Sequence, residues 1–156
     1  MKTRIYLDTS ILGGLTDPGP KDRIDATTNL LAAISRYKYE SFISSLVLQE
    51  VDAASQEIQS IIKSQISVLP LSILEETDEC LMLSKVYVNE GVIPARYKDD
   101  ARHLAIATIY DVSTIISWNF RHLVNINCKR KVNSINLREG YPLLEIVSPF
   151  EVVNEE

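Results

Sequence analysis

Three carboxylates stand where apolar runs end or are interrupted. Asp8 closes Arg4-Ile5-Tyr6-Leu7, Glu50 lies within Leu48-Gln49-Glu50-Val51, and Asp100 opens Ala101-Arg102-His103-Leu104-Ala105. Charged side chains are rarely buried without a partner, so acids set against core-forming segments require a reason. Carboxylates forced together repel unless a proton or a cation neutralises them. Hard oxygen donors without a Cys or His cluster suit Mg²⁺ or Mn²⁺, with water completing the shell. Such an ion can orient and deprotonate a water, polarise a phosphoryl oxygen and stabilise a leaving oxygen. Those are the needs of phosphodiester hydrolysis.

The elements that must carry these acids can be read from periodicity. Short β-branched and aromatic runs predict strands at residues 3–7, 39–43, 66–69, 114–117 and 144–147. Helical spacing covers residues 24–34, then a segment carrying Leu46, Val47, Glu50 and Val51 that Ser44 or Ser45 can cap. Further helices are expected over 55–63, over 73–89 with Ser72 as cap, over 99–110, and after Asn119. Gly13-Gly14 and Asp17-Pro18-Gly19-Pro20 read as a loop. Strands alternating with helices indicate βαβ units, hence an α/β fold with a mainly parallel sheet of about five strands. Ligands of such sheets bind outside the carboxyl ends of the strands. Asp8, Glu50 and Asn119 follow the first, second and fourth strands and should meet there. Asp100 heads a helix whose His103, Leu104 and Ala107 form a core-facing stripe, which aims it at the same edge.

With 156 residues, 46% hydrophobic and 24% charged, the chain reads as one domain over residues 1–153 with a short flexible tail, 154–156. No apolar run is long enough to span a membrane, the N-terminus has no signal-peptide layout, and Cys80 and Cys128 form no metal-ligand or CxxC spacing. A cytoplasmic address is expected. The net charge of -5 is uneven: Arg121, Lys129, Arg130, Lys131 and Arg138 face only Glu139 across residues 121–139. That stretch can attract phosphates, or it can be a solvated basic surface.

Each residue also has a plainer role open to it. Asp8 can cap a turn, Glu50 can be a solvated helix residue, and Asp99 and Asp100 can complement a helix dipole. His103 reads as a packed, hydrogen-bonded core histidine, and His122 as exposed. Trp118 can stack on a base or pack after its strand.

Tyr6-Leu7-Asp8-Thr9-Ser10, Leu48-Gln49-Glu50-Val51, Asp100-Ala101-Arg102-His103-Leu104-Ala105-Ile106-Ala107 and Ser117-Trp118-Asn119-Phe120 resemble, in order, the motifs of PIN domains. That family includes the toxin ribonucleases of VapBC toxin–antitoxin systems. The tail Gly140-Tyr141-Pro142-Leu143-Leu144-Glu145-Ile146 is similar to that of one PIN subgroup. The resemblance spans residues 3–123 and implies a three-layer α/β/α fold. It further implies a Mg²⁺- or Mn²⁺-dependent endoribonuclease that leaves 5′-phosphate and 3′-hydroxyl ends, a homodimer, and an antitoxin protein as partner.

Residue by residue, the resemblance places Asp8, Glu50 and Asp100 as metal-binding acids, with Thr9 and Ser10 at the hydroxyl positions that orient water. Asn119 stands where the family often has a fourth acid; it accepts through its carbonyl oxygen but brings no charge. Asp99 is the nearby acid able to supply that charge, although adjacent helical residues diverge by about 100°. Arg121, Lys129, Arg130 and Lys131 are the candidate RNA contacts. The rival reading is a PIN-like domain that binds RNA or protein with weak catalysis or none. A haloacid-dehalogenase-type phosphatase needs an Asp where Ser10 stands, and a receiver domain needs its acidic pair after the first strand rather than at Asp99-Asp100.

Overall fold

In the computed structural model, which describes residues 1–16 and 19–152, five short strands pair in parallel. They are β1 (Arg4–Leu7), β2 (Glu40–Ser44), β3 (Leu71–Leu74), β4 (Thr114–Ile116) and β5 (Glu145–Val147), in the order β3-β2-β1-β4-β5. Helices α1 (Thr9–Leu12), α2 (Lys21–Ser35), α3 (Ser45–Asp52), α4 (Gln56–Val68), α5 (Asp78–Asn89), α6 (Lys98–Ile109), α7 (Ile126–Glu139) and α8 (Pro149–Val152) connect and cover them. Asp17, Pro18 and the tail at 154–156 lie outside the described residues. No helix among the described residues is long and apolar enough to cross a membrane.

Alternation along the strands builds two cores. Tyr6, Phe42, Ile115 and Ile146 point to one face, where they meet Leu104 and Ala107 of α6, Leu83 and Tyr87 of α5, and Val132 of α7. Ile5, Leu7, Ile43 and Ile116 point to the other, against Leu30 and Ile34 of α2, Val47 of α3 and Val152 of α8. Because helices cover both faces, β1 and β4 read as continuous apolar runs. The result is a three-layer α/β/α sandwich.

The chain leaves β1 in one direction to reach β2 and β3, then crosses back to lay β4 on the other side of β1. The switch point therefore lies between β1 and β4. Their register pairs Leu7 with Ile116, so the next residues on each strand, Asp8 and Ser117, emerge side by side.

The third strand differs from the expectation at 66–69. Ile58, Ile62, Ile66 and Leu69 continue one helical stripe, so α4 runs through Val68 and the strand starts only after Pro70. Proline has no N–H for a ladder, and β3 is an edge strand pairing with β2 alone. The following helix starts correspondingly later. Thr77, not Ser72, caps it by accepting from the Cys80 N–H.

Candidate acidic site at the switch point

Asp8 leaves β1 in extended backbone and caps α1, accepting from the Ser10 N–H at 3.1 Å. Its plain role as a cap is thus realised, but the cap is also buried, with 5% of the residue exposed. Ser10 Oγ donates to Asp8 Oδ1 and Ser117 Oγ donates to Asp8 Oδ2, both at 2.5 Å. Each hydroxyl also accepts a backbone N–H from the chain after β4, Trp118 to Ser10 and Asn119 to Ser117, both at 2.9 Å. The two serines therefore relay main-chain dipoles onto both carboxylate oxygens. Burial nevertheless pushes the Asp8 pKa up, with the charge of Asp100 adding to it, despite His103, Ser10 and Ser117 acting to lower it.

Glu50 reaches the site from the second turn of α3, whose N-cap is Ser44. Both of its hydrogen bonds fall on Oε1: Thr9 Oγ1 donates at 2.7 Å, and His103 Nε2 lies at 2.5 Å. Burial acts to raise the Glu50 pKa, but His103, Thr9 and Arg102 together hold it below the ordinary glutamate value. An ionised carboxylate only accepts, so His103 Nε2 carries the proton. His103 Nδ1 in turn is 2.6 Å from the Tyr6 hydroxyl, which is 2.7 Å from Ser44 Oγ. His103 is a buried, hydrogen-bonded core histidine, as expected, and also the electrostatic hub of the site. Burial works to lower its pKa, yet Glu50, Asp8 and Asp100 together raise it.

Asp100 comes from the first turn of α6, and its Oδ2 lies 3.0 Å from His122 Nδ1. Burial raises its pKa, partly offset by His122, His103 and a hydrogen bond from Asn119. The Asn119 carbonyl oxygen accepts the His122 N–H at 2.9 Å, so its amide is the part left to face Asp100. Asn119 thus steadies Asp100 and the turn after β4. His122 is not exposed as expected: its side chain is 11% exposed and its ring lies 4.2 Å from that of Tyr97. Asp99 points elsewhere, pairing with Arg102 at 2.8 Å; Arg102 also forks onto Glu76.

The basic candidates divide. The Arg121 guanidinium lies 5.6 Å from the centre of the Tyr97 ring, and Lys131 Nζ donates to the Gly91 carbonyl at 3.3 Å. Both line a groove of about 470 Å³ that also holds His122 and so reaches the Asp100 side of the site. Arg130 is exposed and Lys129 half-buried on α7; neither lines that groove. A cleft of about 570 Å³ opens at the opposite, amino-terminal edge of the sheet around Thr3, Tyr39 and Glu145, away from the acids, so volume alone does not select the site.

The sequence marks Ser44 only as a helix cap, which it is, and gives Ser117 and Tyr6 no role of their own. The signals were present: a polar residue directly after an apolar strand, and a phenol inside a strand, which needs a partner when buried. Among the described residues, no group of three His, Cys, Asp or Glu side chains is arranged to hold a metal ion as it stands. The donors suit a divalent cation in kind, since they are carboxylate and hydroxyl oxygens and the buried Asp8 lacks a full counter-charge. Their oxygens are presently shared with hydroxyls and imidazoles.

Fold and site together define a three-layer α/β/α protein of PIN-like type with an acidic, imidazole-braced cluster at its switch point. No protein-family model matches the chain, and no curated protein does. Solved structures match well. A chain of VapBC2 from Rickettsia felis, bound to a DNA fragment from the promoter, has 19% identity and a TM-score of 0.57, covering 92% of this chain and 97% of that one. A chain of DNA-bound VapBC from Salmonella typhimurium has 18% identity and a TM-score of 0.56, covering 94% and 98%. A chain of a toxin–antitoxin complex from Klebsiella pneumoniae has 18% identity and a TM-score of 0.56, covering 78% and 92%. These likenesses show the fold, and they match the resemblance read from the motifs.

Proposed function

We propose that the protein is a Mg²⁺- or Mn²⁺-dependent endoribonuclease of VapC-like type, acting as the toxin of a toxin–antitoxin pair. The observation that carries the reading is that three acids stand at the carboxyl end of the sheet, each held in place: Asp8 by Ser10 and Ser117, Glu50 by Thr9 and His103, and Asp100 by His122. Asp8, Glu50 and Asp100 would hold the cation through their carboxylate oxygens. When bound, it supplies Lewis-acid charge at a phosphoryl oxygen and an activated water for in-line attack.

The chain's own residues divide the remaining work. Ser10 and Ser117 fix both oxygens of Asp8, while Thr9 and His103 fix one oxygen of Glu50 and leave Oε2 outside those bonds. Asn119 and His122 hold Asp100. Arg121 and Lys131, in the groove beside His122, are placed to receive RNA phosphates, with Lys129 and Arg130 contributing longer-range attraction. An antitoxin protein is a proposed partner, supported by the toxin–antitoxin complexes that share the fold; a second copy of the chain is proposed on the family resemblance alone.

Incubation of single-stranded RNA with the protein and Mn²⁺ tests this. Cleavage that stops on chelation and in Asp8→Asn and Asp100→Asn is the expected result. Intact RNA across varied sequences, with RNA still bound, would instead favour the rival non-cutting domain.

A further inference from the structure

Beside Ser10 lies a second cleft, of about 320 Å³, lined by Ser10, Gly13, Gly14, Arg23, Ile24 and Trp118 among others. Its wall is aromatic and cationic. The Arg23 guanidinium lies 5.3 Å from the Trp118 ring centre and 5.1 Å from that of Phe120, and the two rings are 6.1 Å apart and tilted by 59°. Among the described residues Arg23 has no ion pair; its charge is met only by ring faces. Phe120, four residues beyond the end of β4, is 38% exposed.

The platform is held in place from behind. Trp118 donates its N–H to Ser10 Oγ and its indole N–H to Thr27 Oγ1, both at 2.9 Å, and meets Phe150 edge-on at 4.9 Å. Gly14 passes so close that a Cβ there would stand 3.3 Å from Thr27 Oγ1 and 3.4 Å from Trp118 Nε1. Packing therefore explains the indole's inner edge. It does not explain the exposed phenyl ring or the guanidinium that lies over both rings.

We infer that Arg23, Phe120 and Trp118 form a stacking subsite for one unpaired nucleobase of the RNA, next to the cleaved phosphate. This rests on the ribonuclease reading and says how the same site holds its substrate. Single-stranded RNA is gripped by stacking bases on aromatic rings and guanidinium planes, whereas phosphates need only charge. The placement fits: Ser10 lines this cleft and binds Asp8, and His122 lines the basic groove and binds Asp100. A strand that occupies both clefts would pass Ser10 and His122, the residues that hold Asp8 and Asp100, and Phe120 borders the groove while its ring lies under the Arg23 guanidinium.

Trp118 is the chain's one tryptophan, so its fluorescence reports the subsite directly. The test titrates the protein, in chelator to prevent cleavage, with a short single-stranded oligoribonucleotide. Parallel titrations use the same oligomer carrying an abasic nucleotide at each position in turn, and inorganic polyphosphate. Quenching by RNA is expected, and it should be lost when one particular base is removed. Phe120→Ala and Arg23→Lys should weaken binding by about 5- to 100-fold, the range for one stacked base; Arg23→Lys keeps the charge but loses the plane.

Tight RNA binding with unchanged fluorescence and no effect of Phe120→Ala would overturn the subsite while leaving the ribonuclease reading intact. Equal quenching by polyphosphate would overturn it in favour of a phosphate contact. RNA neither bound nor cleaved by the wild-type protein removes the ribonuclease reading and the subsite with it.

Discussion

Asp8 and Glu50 are carboxylates of one cluster whose surroundings drive them in opposite directions. Asp8, at the strand end, is deeply buried and braced by two serine hydroxyls, and its pKa is raised. Glu50, on a helix, has a side chain 32% exposed and braced by an imidazole, and its pKa is lowered. Hydroxyl dipoles orient a carboxylate without neutralising it, whereas an imidazolium does both. The strand-end half of the site therefore has no directly bonded cationic partner, whereas the helix half is bonded to an imidazole able to carry charge.

The largest expected effect comes from removing charge on the strand-end side. Asp8→Asn should lower RNA cleavage by about 100-fold or more, in line with losing one charge-stabilising group. Its melting temperature near pH 7.5 should nevertheless stay level or rise, because the variant no longer buries an ionised carboxylate. A marked fall in melting temperature would mean that the carboxylate is structural and that the contrast with Glu50 is wrong.

On the helix side the order reverses. His103→Ala leaves Tyr6 and Glu50 without their shared partner, and should cost about 3 kcal/mol in denaturant unfolding. A loss under about 1 kcal/mol would show that water replaces the imidazole and that the hub is dispensable.

Titration sharpens the comparison further. Glu50, with a lowered pKa, contributes stability that is present above its ordinary 4.5 and lost as pH falls through the folded value. His103, with a raised pKa, contributes stability that is present below its ordinary 6.5 and lost as pH rises through the folded value. Asp8, with a raised pKa, adds a penalty that grows as pH rises from its ordinary 3.8 through the folded value. Metal-free protein should therefore be most stable at about pH 5 to 6.5, and Asp8→Asn should lessen the loss of stability as pH rises. Mn²⁺ at a hundred times its dissociation constant should add about 2.7 kcal/mol. The gain should be larger at pH 8 than at pH 5 and absent in Asp8→Asn. Equal gains at both pH values would mean that the ion binds away from these acids.

The smallest effect is expected outside the cluster. Asp99→Asn breaks a half-exposed pair with Arg102, which keeps its fork onto Glu76. Cleavage should be unchanged within error and stability should shift by under about 1 kcal/mol. A deep loss of cleavage would put Asp99 back among the acids that serve the metal.

Much of this was legible before any coordinates. The strands at β1, β2 and β4, the acids after the first two, and the stripe that carries Asp100 and His103 on α6 all follow from local periodicity. The α4–β3 boundary was less legible, because a helical stripe and an edge strand share one apolar stretch broken only by Pro70. His122 illustrates a different limit. Nothing near it in the sequence announces that Tyr97 and Asp100 will cover it.

The sequence by itself determined which residue types stand at the strand ends, because the alternation and capping that place them are short-range. Only the tertiary structure decided what each acid meets. Ser117 reaches Asp8 across 109 positions and His103 reaches Glu50 across 53. The β1–β4 register brings Ser117 to Asp8, and the packing of α3 and α6 against the sheet brings His103 to Glu50. That is why three carboxylates of similar type acquired different electrostatic tasks.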